Sequence, residues 1–216
     1  MEFLKDQTIK FVKEKLAGAE AGHDWFHIER VYHTALKINE KEKGNELIVA
    51  LAALLHDIAD SKFNGGDEEI GPRIAGDFLK TLNLDDELIN HVQQIIKNLS
   101  YKASLGMVNF HSKELDIVQD ADRLDAIGAI GIARAFTYGG YKNRLMYDPE
   151  IKPVLNQSKE AYKNSTAPTI NHFYEKLLLL KDLMKTKEGK NIATQRHDFM
   201  LAYLDQFFLE AGSYSQ

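Results

Sequence analysis

The sequence predicts an all-α protein. Three observations lead there: apolar residues recur at helical spacing almost throughout, no segment alternates convincingly as a strand, and glycine, asparagine and aspartate fall where helices should start and stop. The spacing is clear in Ile9, Val12 and Leu16, in Val31, Ala35 and Ile38, and in Leu84, Leu88, Val92, Ile95, Ile96 and Leu99. It predicts helices near 2–17, 25–42, 46–58, 68–82, 85–100, 112–137, 168–187 and 191–211.

Each element has its punctuation. Gly18, Gly22 and Gly44 stand where C-terminal stops are expected, and Asn83 or Asp85 can cap the segment that begins near Asp86. From Gly139 to about Pro168 helical periodicity lapses and three of the four prolines collect, so this stretch reads as a loop with room for one short helix. The chain has no internal repeat, and its 216 residues suffice for one domain with a substantial core.

Composition narrows the chemistry. Hydrophobic residues make up 44% and charged residues 27%, proportions of a chain that folds on its own. With no cysteine, any metal must be held by nitrogen and oxygen. No apolar run approaches the roughly 20 residues that span a bilayer, and MEFLKDQTIKFVKEKL alternates charge with apolar residues, unlike a secretory signal, so the expected location is cytoplasmic. The formal charge of -5 disfavours nucleic acid polymers and anionic membranes. A small anionic substrate stays open, because a metal and a few basic side chains can reverse the field inside one cleft.

Three places carry the chemistry. In LAALLHDIAD, five apolar or small residues lead directly into His56 and Asp57, and a buried helix seldom ends in an adjacent imidazole and carboxylate without a partner for them. A metal is one such partner; a helix cap or a surface pair is the other reading. Asp60 follows Asp57 by three residues and would share its side if the helix continued. In IVQDADRLDAIGAIGIARAF, Asp122 falls on a stripe with Leu115, Val118 and Ala129, where an ionised carboxylate needs a metal or a basic group such as Arg134 or Arg30. Asp125, one turn on, could orient a ligand histidine. Gly128 and Gly131 suggest close packing or a tight approach to a ligand. In GHDWFHIERV, His27 and Arg30 share a helix face, while His23 sits in the lead-in as a cap neighbour or phosphate contact.

Together these places resemble the HD superfamily of metal-dependent phosphohydrolases, whose pattern is a His on one helix, a contiguous His-Asp on the next and an Asp on a later one. The segments GHDWFHIERV, ALLHDIAD and IVQDADRLDAIGAIGIAR look closer still to a bacterial nucleotide pyrophosphohydrolase-like subgroup, over roughly residues 20–140. The resemblance implies an HD-type helical bundle over 1–216, with a metal core near 20–140 and C-terminal helices near 168–211 packing on it. It implies His27, His56, Asp57 and Asp122 as ligands of one divalent ion. Manganese is favoured, and Fe²⁺, Co²⁺, Ni²⁺, Zn²⁺ or Mg²⁺ are compatible with such donors.

The implied reaction is hydrolysis of (deoxy)nucleoside triphosphates to monophosphate and pyrophosphate. A nucleotidase, another phosphomonoesterase or phosphodiesterase, and a non-catalytic nucleotide- or metal-sensing module are the alternatives on the same fold. In this frame Asp60 positions or deprotonates the attacking water, with an ion pair to Lys62 as its other reading. Arg30, Lys62, Lys102 and His23 face the phosphates, each otherwise a surface charge or cap. His91 and His111 lie where two-metal relatives supply further ligands, but their settings favour surface or capping roles, so one metal is expected. The expected partner is a small nucleotide or phosphoester, and the expected assembly a homodimer.

Overall fold

A computed structural model of the protein describes residues 2–18, 24–59, 67, 69–99, 110–155 and 165–212. Among these residues there is no strand, in agreement with the predicted all-α class. The chain forms two compact units, Met1–Asp122 and Arg123–Gln216.

The first unit contains α1 (Glu2–Lys15), α2 (Trp25–Glu42), α3 (Glu46–Leu55), α4 (Ile70–Thr81), α5 (Asp86–Leu99) and most of α6 (Lys113–Asp125). Asp24 caps α2 by accepting the N–H of His27, which fixes His27 in the first turn of that helix. Ile28, Val31, Ala35 and Ile38 then form a fully buried stripe along α2. Asn45 caps α3 through the N–H groups of Leu47 and Ile48. Every α3 residue from Ile48 to Leu55 is buried, which explains why the run IVALAALL is apolar on all sides. Lys5 reaches across from α1 to Glu46 at 2.9 Å, and that hydrogen bond raises the lysine pKa. Phe11 of α1 stacks on Phe78 of α4 with ring centroids 4.0 Å apart. Asp85, one of the two predicted caps of α5, accepts the N–H of Leu88.

The second unit holds the end of α6, α7 (Gly128–Tyr141), α8 (Thr169–Glu175), a 3₁₀ segment (Leu177–Leu183) and α9 (Lys187–Glu210). An aromatic cluster around the buried Phe173 runs through it: Phe136 lies 6.0 Å from Phe173 and 6.3 Å from Tyr203, and Tyr203 lies 6.1 Å from Phe207. Three helix expectations change. The single helix predicted over 112–137 is two helices, because Gly128 adopts φ +77°, a conformation that breaks the α6 path. A Cβ on Gly128 would also stand 3.0 Å from Cγ of Arg196, which donates to the carbonyl of Leu124. The predicted 168–187 helix becomes α8 and the 3₁₀ segment, whose buried Leu177 and Leu180 are three residues apart and so eclipse at three residues per turn. α9 begins before the expected 191 because Thr186 caps it through Gly189 N–H at 2.9 Å. Ala129, predicted to share Asp122's stripe, lies beyond the break and is exposed.

No helix among the described residues is long and apolar enough to cross a membrane.

Candidate metal centre

The first unit brings His27, His56, Asp57 and Asp122 to one place. One donor atom each from His27, His56 and Asp57 lies within 4.8 Å of the others. Asp122 joins through Oδ1, 3.6 Å from Nε2 of His27 and 3.8 Å from Nε2 of His56. The ligand candidates therefore come from the first turn of α2, the C-terminal end of α3 and the last turn of α6.

Local chemistry explains why α3 stops here. His56 Nδ1 lies 2.9 Å from the carbonyl of Ala53, the acceptor that the N–H of Asp57 would use in a continuing helix. The helix closes at Leu55 rather than near 58, and Asp57 follows in a turn. The helical-face argument that set Asp60 beside His56 and Asp57 therefore loses its basis; Asp60 itself lies outside the described residues.

The same contact sets the tautomer. A carbonyl only accepts, so Nδ1 carries the proton and neutral His56 presents Nε2 as a lone pair. That lone pair faces Nε2 of His27 across 3.3 Å, and the two imidazoles are 4% and 3% exposed. Two such nitrogens at this distance need a shared proton or a cation. Metal–nitrogen bonds of about 2.0–2.1 Å at angles of roughly 90–110° set two nitrogens about 2.9–3.4 Å apart, so the observed separation suits a common metal. The carboxylates of Asp57 and Asp122 supply the two negative charges that neutralise a dication. The donor set fits a divalent ion.

Asp122 differs from expectation in one respect. Its side chain is 36% exposed rather than buried on the apolar stripe, although Leu115 and Val118 on that stripe are buried. The deeply buried carboxylates of α6 are Asp120 and Asp125, at 0% and 4% exposure. Asp125 was a candidate for orienting a ligand histidine; its carboxylate is engaged by Arg134, and at His56 that orienting role falls to Ala53. Of the two basic partners considered for Asp122, Arg134 is in an ion pair with Asp125, and Asp122 itself meets His27 and His56.

Arg30 is partly buried on α2, one turn beyond His27. His23, Lys62 and Lys102 lie outside the described residues. His91, set aside as a ligand, meets Glu114 at 3.6 Å on the far part of α6. Two supporting residues escaped the sequence reading. Gln119 is buried and donates to the carbonyl of Leu99, tying α6 to the end of α5. Ala53 acts through its backbone, and a histidine directly after an apolar helix is the signal that could have disclosed it.

Helix ends that converge imidazole and carboxylate donors in this way suit a divalent metal ion, and comparison with known proteins gives the lineage. Residues 25–127 match the model of the HD domain, an interval that includes all four candidate ligand positions. The chain belongs to the HD-domain family, and it is a metal-dependent phosphohydrolase by fold. An HD-superfamily hydrolase from Bacillus thuringiensis is 44% identical, with 99% of each chain covered and a TM-score of 0.79. YpgQ of Bacillus subtilis is 37% identical over 202 residues, covering 93% of this chain and 90% of YpgQ. The crystal structure of YpgQ in complex with ADP superposes with a TM-score of 0.72 over 95% of this chain and 97% of that one.

Proposed function

We propose that this protein hydrolyses nucleotides, with (deoxy)nucleoside triphosphates cleaved to monophosphate and pyrophosphate, in a reaction that depends on one Mn²⁺ ion. The observation that carries the metal half of this reading is the facing Nε2 pair of His27 and His56, 3.3 Å apart, with two carboxylates beside it. Support for a nucleotide comes from YpgQ, whose structure holds ADP, and from the family resemblance of the flanking segments.

A bound divalent ion supplies Lewis-acid polarisation of a phosphoryl oxygen and acidifies water. The chain's own residues do the rest. The Ala53 carbonyl orients the His56 ring so that its Nε2 is aimed inward, where it can act as a donor. Arg30, one turn from His27, is the proposed phosphate partner on α2. Asp60 is the proposed water-positioning base, Lys62, Lys102 and His23 the proposed phosphate contacts, and Asp125 the proposed outer support of the ligand set. The acting species is proposed to be a cytoplasmic homodimer that takes small nucleotides rather than polymers.

Incubation of Mn²⁺-loaded protein with a panel of ribo- and deoxynucleotides, with the products separated and identified, tests this. Monophosphate and pyrophosphate in equal amounts are expected. Nucleoside and phosphate would replace the pyrophosphohydrolase reading with a nucleotidase, and an untouched panel would refute the nucleotide substrate.

A further inference from the structure

The metal ligands sit at one end of helices whose other ends are joined by a polar cluster with no assigned role. Glu114, in the first turn of α6, is 13% exposed. One of its oxygens accepts the backbone N–H of Asn45 at 2.8 Å, and the other lies 3.6 Å from Nε2 of His91, a buried nitrogen with no hydrogen-bond partner. Asn45 is the cap of α3, and the turn before it is closed by Gly44 N–H donating to Asn39 of α2 at 2.8 Å. Gly44 admits this arrangement by closeness: a Cβ there would lie 3.1 Å from the same Glu114 oxygen and 3.0 Å from Asn39 Oδ1.

We propose that Glu114 is a positioning residue for the metal centre, fixing α6, and with it Asp122, against the α2–α3 turn. The inference rests on the metal reading above. Glu114 and Asp122 are two turns apart on α6, about 12 Å of axial rise at 1.5 Å per residue. Metal–ligand distances tolerate only about 0.2 Å, whereas sliding a helix by one residue moves its ligand about 1.5 Å. Close packing of the buried side chains from Ile48 to Leu55 holds the body of α3 in the core, and the fine placement of its ends is left to directional contacts. Glu114 on Asn45 is one such contact, at the end away from the ligands. A carboxylate also serves His91, which a neutral aliphatic side chain would leave facing nothing.

The test is Mn²⁺ affinity, measured by titration calorimetry on the full chain, with the folded fraction followed by circular dichroism in the same buffer. Glu114→Leu is expected to weaken Mn²⁺ binding about tenfold, the lower end for residues that support ligands from outside the first coordination sphere. Glu114→Gln keeps an oxygen for Asn45 and is expected to stay within about threefold of wild type, a rescue that a purely structural role would not produce in the affinity of folded protein. If Glu114→Leu does not fold, Glu114→Asp, one methylene shorter with its charge retained, must show at least a threefold loss. Wild-type binding with unchanged affinity in these variants would overturn the positioning role alone. Wild-type protein that binds no Mn²⁺ would overturn the metal reading and this inference with it.

Discussion

Replacing His27 by leucine separates the two consequences of placing its imidazole against His56. In the metal-free state the wild-type pair holds two ring nitrogens 3.3 Å apart in a setting only 3–4% exposed, so removing one of them deprives the other. Leucine leaves the buried Nε2 of His56 without that partner, so metal-free stability should fall by about 1–3 kcal/mol. The metal-bound state behaves differently. At a free Mn²⁺ concentration one hundred times Kd, wild type gains about 2.7 kcal/mol. For a chain of this length about 2–4 °C accompanies each kcal/mol, so its Tm should rise by about 5–11 °C. Losing one donor weakens binding at least about 100-fold, taking the upper end for supporting residues as a floor. At the same Mn²⁺ concentration the variant then gains about 0.4 kcal/mol, a Tm rise of only about 1–2 °C. Differential scanning calorimetry with chelator and with Mn²⁺ reads both numbers. An undiminished Mn²⁺ response in His27→Leu would refute the assignment of His27 as a ligand.

Two further outcomes follow from the second unit. Gly128→Ala forces an L side chain to φ +77° and sets its Cβ 3.0 Å from Arg196, so a loss of about 1–3 kcal/mol is expected in chemical denaturation, and an unchanged midpoint would contradict the reason given for the α6–α7 break. His172 is held neutral by burial and by the nearby Lys176 and Arg144, with its pKa lowered from 6.5 to about 3. The unfolded chain takes up this proton near pH 6.5 and the folded one only near pH 3, so stability should fall as pH drops through that window, by at most about 1.4 kcal/mol per unit from this group. His172→Gln should flatten that slope, and an identical pH dependence in wild type and variant would remove His172 as its source.

The helical class was legible because its signals are local. Periodicity placed α2 at 25–42, where it is found, and aspartate at the right place announced the cap of α5. The HD-domain family was likewise carried by short segments around His27, His56 and Asp122. The errors arose where a nonlocal contact or an unusual backbone state decides. The break between α6 and α7 follows from the positive φ of Gly128 beside Arg196, which lies 68 residues further along the chain. The 3₁₀ segment hides in a run of leucines that satisfies either helical period. The end of α3 depends on the competition of an imidazole for a carbonyl, and the exposure of Asp122 on how α6 meets its surroundings, neither of which apolar spacing records. Glu114 was invisible for the same reason, since its partners Asn45 and His91 are far from it in sequence.

The central claim is that a divalent ion is held jointly by His27, His56, Asp57 and Asp122. Anomalous diffraction from crystals equilibrated with Mn²⁺, recorded on either side of the manganese absorption edge, tests it most directly. The account predicts one strong peak at about 2.0–2.3 Å from both Nε2 atoms and from an oxygen of each carboxylate. A peak elsewhere, or a site whose imidazoles remain nitrogen to nitrogen with no anomalous density between them, would contradict it.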